Sequence, residues 1–297
     1  MFNHLNFFVL LNKDLNNPII KKLKLDQNAQ ENLTTSFSEG KQDMLDSEIE
    51  RVEFTGSYKT EPGEINYIEN YDIPGNIIKA VKNPTSIDHL EINNENILKI
   101  KGIFAGEIND NNQIIAFVNF NKGNYITEKG FNFFNDGETF KIISGLGINI
   151  TAGLDLLYID NKLFFWKYWD ARQVLDLTKY YREATDEELE DFVKIPVLTV
   201  DDTDKFKANG DYWVRRKVSL LIDSKVFDEG EPSIIAEKAA QYDVDVKVTE
   251  ENEREQIKLP DEKKDLKEVL RFLDEDYYSG PITDTRYLSN SKKKVKN

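Results

Sequence analysis

Short apolar runs separated by polar turns dominate the first half of the chain, and this pattern predicts β-strands. Residues 7–11 form an apolar run between polar neighbours, which is typical of a buried strand. Leu98 and Ile100 alternate with lysines, so a half-buried strand is predicted there as well. Residues 109–112 are all Asn or Asp, which favour turns, and they predict a hairpin between two β-rich runs. Residues 26–48, rich in polar side chains, fit either a weak helix or a surface loop.

In the second half the apolar period lengthens, which indicates helices. A tight hairpin is predicted first, at residues 156–166. Thr185 and Glu188 then have the spacing of a capping box, in which the hydroxyl binds a backbone amide and the carboxylate reaches back. Residues 214–222 place Val, Leu and Ile on one helix face. Residues 261–277 predict a last helix, capped by its first Asp and ended by a Gly-Pro pair shortly after it.

The order of these elements predicts an α+β fold, with a strand-rich N-terminal part and a mixed, helix-rich C-terminal part. Composition changes at the same point. Residues 1–149 contain 23 Asn and one Arg, whereas residues 150–297 contain five Asn and seven Arg. We therefore place two domains at residues 1–150 and 151–297.

Composition and charge exclude several classes of protein. The 297 residues include no Cys and two His, which excludes a disulfide framework, thiol nucleophiles and multi-histidine metal sites. No apolar run approaches the ~20 residues of a membrane-spanning helix, and no secretory signal is visible, so we expect a cytoplasmic protein. We expect no cofactor and no bound metal. The net charge of −15 argues against general affinity for nucleic acids.

Two basic clusters nevertheless interrupt the acidic background. One lies on the predicted helix of residues 214–222, where a helical wheel puts Arg216 opposite the apolar stripe and Arg215 near its edge. The other is the C-terminal tail. Because salt screens charges beyond ~8–10 Å, the two clusters together could bind phosphate in spite of the total charge. A solvated helix face and a solubilising tail would give the same pattern. The candidate DNA-binding residues are Arg215, Arg216, Lys217, Lys292, Lys293 and Lys294.

Other motifs point to no definite reaction. Gly145-Leu146-Gly147 begins like a dinucleotide-binding loop but has no third glycine and no following helix. His89 lies near Ser and Asp without a nucleophile-elbow pattern, and we interpret it as a surface or strand-edge residue. The Asp-x-Lys triplets at 160–162 and 245–247 would suit a metal-dependent nuclease, but a turn and a solvated strand explain them as well. Residues 201–204 form an acidic run without the other features of a calcium loop. We assign no catalytic residue.

Several segments of the chain resemble the Kiwa protein B-like (KwaB-like) family of bacterial anti-phage defence proteins, over roughly residues 95–297. The segments that carry the resemblance are the hairpin of residues 156–166, Trp169-Asp170, residues 270–283, Tyr287 and Ser291-Lys292. The resemblance implies a cytosolic protein that binds DNA during infection and works with a small membrane-embedded partner. It implies no catalytic residues. We also expect a homo-oligomer, namely a dimer.

Three functions stay open at this point. The first is a DNA-binding defence protein without catalysis, the second is a metal-dependent nuclease, and the third is a protein-interaction module. Magnesium-dependent cleavage would indicate the nuclease. Salt-sensitive DNA binding without cleavage would indicate the first function.

Overall fold

The computed structural model divides the chain into two compact units, which are described separately below. The first comprises Met1–Phe54 and Thr60–Leu177, and the second comprises Thr55–Lys59 and Thr178–Asn297. The first unit extends past residue 150 because the next hairpin adds two strands to its sheet. That each unit folds as a domain of its own stays a prediction. The structure describes residues 2, 5–11, 14, 16–109, 112–127, 131–135, 137–143, 145–224, 226–251 and 254–293.

The described residues of the first unit form four α-helices and twelve strands, with 3₁₀ turns at Pro84–Ser86 and Lys122–Asn124. In chain order the elements are β1 (Phe8–Leu10), β2 (Ile20–Lys22), α1 (Gln27–Leu45), β3 (Glu50–Glu53), β4 (Glu64–Ile68), α2 (Gly75–Lys82), α3 (Asn94–Lys99), β5 (Gly102–Asn109), β6 (Asn112–Asn119), β7 (Tyr125–Ile126), β8 (Asn132–Asn135), β9 (Phe140–Ile143), β10 (Gly147–Ile148), β11 (Leu156–Ile159), β12 (Lys162–Phe165) and α4 (Tyr168–Val174).

Eight of these strands form one sheet, in the order β2-β1-β5-β6-β11-β12-β4-β3. Neighbouring strands are antiparallel except β3 and β4, which run parallel. Ile103 and Phe104 are successive residues of β5 and point to opposite faces, yet both are fully buried. The centre of the sheet is therefore covered on both sides. On one side Phe37 of α1 packs edge-on against Phe7, with the ring centroids 5.1 Å apart.

Both predicted hairpins are confirmed by the strands on either side of them. Asn109 of β5 pairs with Asn112 of β6, and the two turn residues between them lie outside the described part of the chain. Asp160 and Asn161 join β11 to β12 with φ angles of 44° and 70°. Two successive positive φ angles define the type I′ turn that matches the twist of a hairpin. The Tyr158 hydroxyl also donates a 2.9 Å hydrogen bond to Asn161 Oδ1.

Two local predictions are settled by helix capping. Residues 26–48 contain the 19-residue helix α1, since Asp26 caps it by accepting a 2.7 Å hydrogen bond from the Ala29 amide. The strand predicted around Leu98 is wrong, because this residue lies in α3. The Asn93 side chain caps α3 by accepting a 2.8 Å hydrogen bond from the Asn96 amide. Two alternating apolar residues are too few to fix the period, and a cap decides in favour of the helix.

A separate two-stranded sheet, β8–β9, exposes apolar side chains on one face. Phe133 lies opposite Ile142 in the register. Because side chains alternate along a strand, Phe131 and Phe140 share the face of this pair. All four side chains are more than half exposed. We call these four residues the phenylalanine face.

The described residues of the second unit form six α-helices and five strands, with a 3₁₀ turn at Thr178–Tyr180. In chain order the elements are α5 (Asp186–Phe192), β13 (Leu198–Thr199), α6 (Thr203–Ala208), α7 (Tyr212–Asp223), α8 (Val226–Glu229), α9 (Pro232–Ala240), β14 (Lys247–Glu251), β15 (Arg254–Lys258), α10 (Lys263–Leu273), β16 (Tyr277–Ser279) and β17 (Arg286–Leu288).

The core of the second unit forms where α7 and α10 pack together. The predicted stripe of α7 is buried at Val214, Val218 and Leu221, in the same cluster as Leu266 of α10, whereas Ile222, predicted on the same face, is exposed near the end of the helix. The capping box at the start of α5 is confirmed in both of its hydrogen bonds. No helix in the described part of the chain is long and apolar enough to cross a membrane.

The last helix is shorter than the sequence predicted. It begins after Glu262, whose side chain makes no capping bond, and it ends at Leu273, so Asp261 is not its cap. Tyr277, predicted to lie on the helix face, instead begins β16. Glu275, which lies between the end of α10 and the start of β16, has a φ of 55°. The predicted α+β class, with its strand-rich N-terminal part, is confirmed.

Candidate nucleic-acid interface

Helix α7 carries the first basic cluster, and Asp211 fixes where this helix begins. Its carboxylate accepts a 2.9 Å hydrogen bond from the Val214 amide and lies 2.7 Å from Lys267 Nζ and 3.1 Å from Lys263 Nζ. Desolvation alone would raise the pKa of Asp211. The hydrogen bonds from Lys267, the Val214 amide and Lys263 outweigh it and lower this pKa to about 2. Asp211 is therefore a charged cap and a junction between α7 and α10.

Arg215, the first residue of the cluster, binds groups of its own unit. Its Nε and Nη1 donate 2.9 Å hydrogen bonds to the carbonyls of Gly210 and Ala184. Its Nη2 lies 2.5 Å from Oδ1 of Asp186, and this hydrogen bond lowers the pKa of Asp186. Arg215 thus joins the start of α5 to the start of α7.

Arg216 is buried, contrary to the helical wheel, which placed it on the outer face of α7. Only 8% of the residue is exposed. Its guanidinium donates a 3.0 Å hydrogen bond to the Arg182 carbonyl and a 3.4 Å bond to the Thr55 carbonyl, and it lies 4.1 Å from the centre of the Tyr181 ring. The segments around residues 55 and 181 cover this side of α7, which a wheel drawn for an isolated helix cannot include.

Lys217 and Lys292, from the two separate basic clusters, meet at a buried pair of carboxylates. Lys217 Nζ lies 2.6 Å from Oδ2 of Asp276 and also contacts Oδ2 of Asp274. Lys292 Nζ lies 3.1 Å from Oδ2 of Asp274 and 3.1 Å from Oδ1 of Asp276. Only 2% of the Asp276 side chain is exposed. We call these four residues the Lys-Asp cluster; it contains two positive and two negative side chains in close contact.

The C-terminal segment that carries Lys292 is also held by its backbone. The Lys292 amide donates a 2.9 Å hydrogen bond to the Ser57 carbonyl, and the Lys59 amide donates a 3.0 Å bond to Ser291 Oγ. The side chain of Lys293 is exposed, and its Nζ lies 5.4 Å from the centre of the Tyr58 ring. The C-terminal segment is therefore anchored at Lys292, and Lys293, the last described residue, is exposed.

The structure brings together only part of the predicted DNA-binding set. Lys217 and Lys292 meet, but they meet at Asp274 and Asp276. Arg215 and Arg216 bind carbonyls and carboxylates within the second unit, and Lys294 lies outside the described residues.

Asp274 and Asp276 are the residues that the sequence analysis missed as parts of a site. They occur within an acidic run at the end of a helix, which is the usual composition of a solvated surface. The signal that could have drawn attention to them is that a DxD triplet follows directly after an apolar helix face and precedes two tyrosines.

The other motifs have structural explanations. Asp160 accepts a 2.8 Å hydrogen bond from the Gln113 amide at the hairpin, and His89 forms a bridge at the edge strand β2. Asp202 caps α6. Asp245 is exposed just before β14 rather than on a strand, and its carboxylate lies 4.0 Å from Lys247 Nζ. Among the described residues, no group of three or more His, Cys, Asp or Glu side chains is arranged to hold a metal ion.

The fold and the site define an α+β protein in which Lys292 of the basic C-terminal segment forms ion pairs with the carboxylates of Asp274 and Asp276. Residues 78–283 match the family model described as Kiwa protein KwaB-like, and the chain therefore belongs to this family of bacterial anti-phage defence proteins. The resemblance found in the sequence is confirmed. Membership implies a partner within a multi-component defence system. No curated protein and no solved structure matches the chain.

Proposed function

We propose that this chain is the DNA-binding component of a Kiwa-type defence system, that it acts without catalysis, and that it works with a membrane-embedded partner from the cytoplasmic side. The observation that supports DNA binding most directly is the C-terminal segment. It is anchored at Lys292, exposes Lys293, and continues into Lys294 and Lys296 in the sequence.

On the basis of the contacts described above, we assign two different roles to the predicted site residues. Arg215, Arg216 and Lys217 stabilise the second unit, because their charged groups are taken up by carbonyls and carboxylates. Lys293 and the lysines after it supply the phosphate contacts. In a chain with a net charge of −15, a local cluster of lysines can still bind phosphate, because salt screens the more distant acidic charges.

The test is fluorescence anisotropy with labelled DNA over a range of salt concentrations. The variant replaces Lys293, Lys294 and Lys296 with Gln and keeps Lys292, so the Lys-Asp cluster stays intact. Each lost phosphate contact should flatten the slope of log affinity against log salt by about 0.9 on duplex DNA. The matched control replaces Lys194, Lys238 and Lys247 with Gln.

The three lysines of the control are exposed, and because each variant loses three lysines, the total charge changes equally. We expect weaker binding and a salt slope flatter by about two units or more for the tail variant, with little change in the control. Equal losses in both variants would show that only the total charge matters. Cleavage of the DNA with Mg²⁺ and not with EDTA would instead indicate the nuclease.

The phenylalanine face supports contact with a protein partner. Exposed apolar patches of this kind commonly mark interaction surfaces. We propose that it contacts the membrane-embedded partner, and that Phe133→Ser with Phe140→Ser abolishes co-purification of that protein. Ile92→Ser, which alters another exposed apolar residue of the same unit, is the control.

The proposed homodimer is tested by the molecular mass measured by light scattering. If the variant with Phe133→Ser and Phe140→Ser becomes monomeric, the phenylalanine face is assigned to the dimer interface instead.

A further inference from the structure

The ribbon formed by β16 and β17 packs inward through Tyr277, while its other side chains are exposed. Its register pairs Tyr277 with Leu288 and Tyr278 with Tyr287. Tyr277 packs inward, with its ring 5.8 Å from that of Tyr242. Because side chains alternate, Tyr278 and Tyr287 lie on the opposite face, where they are 48% and 44% exposed.

Tyr278 and Tyr287 are stacked on each other and accessible from outside. Their ring centroids are 5.2 Å apart and their planes are inclined by 21°. We call them the tyrosine pair. Arg286, the preceding residue, lies on the same side of the ribbon as Tyr277, where its guanidinium is 5.8 Å from the centre of the Tyr242 ring and 3.4 Å from Oδ2 of Asp243. The chain runs from Tyr287 to the anchored Lys292 in five residues, and the Ser289 amide binds the Asp276 carbonyl at 2.8 Å, so the basic tail starts beside this ribbon.

We propose that the tyrosine pair is a stacking platform for unpaired bases, and that the DNA this chain prefers is single-stranded. Exposed aromatic planes next to lysines are the combination by which proteins hold single strands without reading sequence. The faces of bases in a duplex are covered by their neighbours, so the pair can stack only on bases that are unpaired or at an end. This inference rests on the proposed DNA-binding function and adds the form of DNA.

A simpler explanation is that a cross-strand aromatic pair only stabilises the ribbon. Leucine and phenylalanine variants separate the two explanations. Tyr278→Leu and Tyr287→Leu keep apolar contact across the strands and lose the aromatic plane, whereas Tyr278→Phe and Tyr287→Phe keep the plane and lose only the hydroxyl. A melting temperature measured for each variant shows whether the full-length protein stays folded.

The experiment measures anisotropy of a labelled oligonucleotide of thymidines and of a labelled duplex of equal length, with the full chain and its natural tail. We expect tighter binding of the single strand, a loss of about tenfold for each Leu variant on that strand, and no loss for the Phe variants. The control is Trp169→Leu, another exposed aromatic residue, in the first unit, which should bind both DNAs as the natural chain does.

The outcomes separate this inference from the function on which it rests. Binding of neither DNA would overturn the proposed function. A duplex bound as tightly as the single strand, or Leu variants that are folded and bind the single strand normally, would overturn the stacking platform and leave the tail-based binding in place.

Discussion

Replacing Asp276 with Asn should destabilise the second unit strongly, because Asp276 is one of two carboxylates that neutralise two lysines in a buried place. Its side chain lies 2.6 Å from Lys217 Nζ and 3.1 Å from Lys292 Nζ. After the change, two positive charges face the single carboxylate of Asp274. Removing one member of a buried pair costs about 3–5 kcal/mol, since the remaining charge is uncompensated.

The same reasoning predicts that a second change recovers part of the loss. Lys217→Met together with Asp276→Asn leaves one lysine and one aspartate, so the charges balance again. We expect the double variant to be less destabilised than the sum of the single variants by about 1 kcal/mol or more. Urea unfolding supplies these free energies. It is followed by tryptophan fluorescence, since Lys217 Nζ lies 5.7 Å from the centre of the Trp213 ring.

The matched control is Asp243→Asn, which removes the carboxylate of a solvent-exposed ion pair with Arg286. Exposed pairs contribute about 0–1 kcal/mol, so this change should cost little. A loss for Asp276→Asn no larger than that of the control, or strictly additive losses in the double variant, would refute the interpretation of the cluster as a charge-balanced, buried unit.

Three further predictions concern stability. Leu270→Ala should cost about 2–5 kcal/mol in urea unfolding, because Leu270 is fully buried against α7, and a loss below about 0.5 kcal/mol would show that α10 is peripheral. Asp211 has a folded-state pKa near 2, below its ordinary value of 3.8, so its contribution is present above pH 4 and is lost as the pH falls toward 2. Because the side chain is partly exposed, we expect this contribution to the free energy of unfolding to be about 1 kcal/mol or less. Asp211→Asn should remove the contribution from the pH profile of stability, while the Asn side chain still caps α7. Gly56→Ala should lower the melting temperature, because Gly56 has a φ of +72° and a methyl group there would lie 2.9 Å from the Tyr181 ring; an unchanged value would show that this backbone adapts.

Features with short-range causes could be predicted from the sequence. The turn at Asp160-Asn161 and the capping box of Thr185 and Glu188 depend on neighbouring residues alone, and both are confirmed. The strand predicted around Leu98 failed although its evidence was also local, because the competing signal, a capping Asn93, was not weighed.

Features with long-range causes could not be predicted in this way. Arg216 is buried partly by the backbone of Thr55, which is 161 residues away in the chain. The meeting of Lys217 with Asp276 depends on how α7 and α10 pack, and periodicity gives the buried face of each helix without giving its partner. For the candidate site, the sequence predicted which segments are basic, and the fold decided that Lys217 and Lys292 bind carboxylates of the chain itself.

The short segment Thr55–Lys59 has a consequence for any attempt to divide this protein. It belongs to the second unit, although the chain on both sides of it belongs to the first. No single cut of the polypeptide can therefore yield both units whole. A fragment starting at Thr178 would lack the carbonyls of Thr55 and Ser57, on which Arg216 and the C-terminal segment depend. A truncation that assigns an activity to one half of the chain would then report the loss of residues 55–59. Such experiments should therefore be accompanied by a peptide of residues 55–59 supplied in trans, or by a circular permutant.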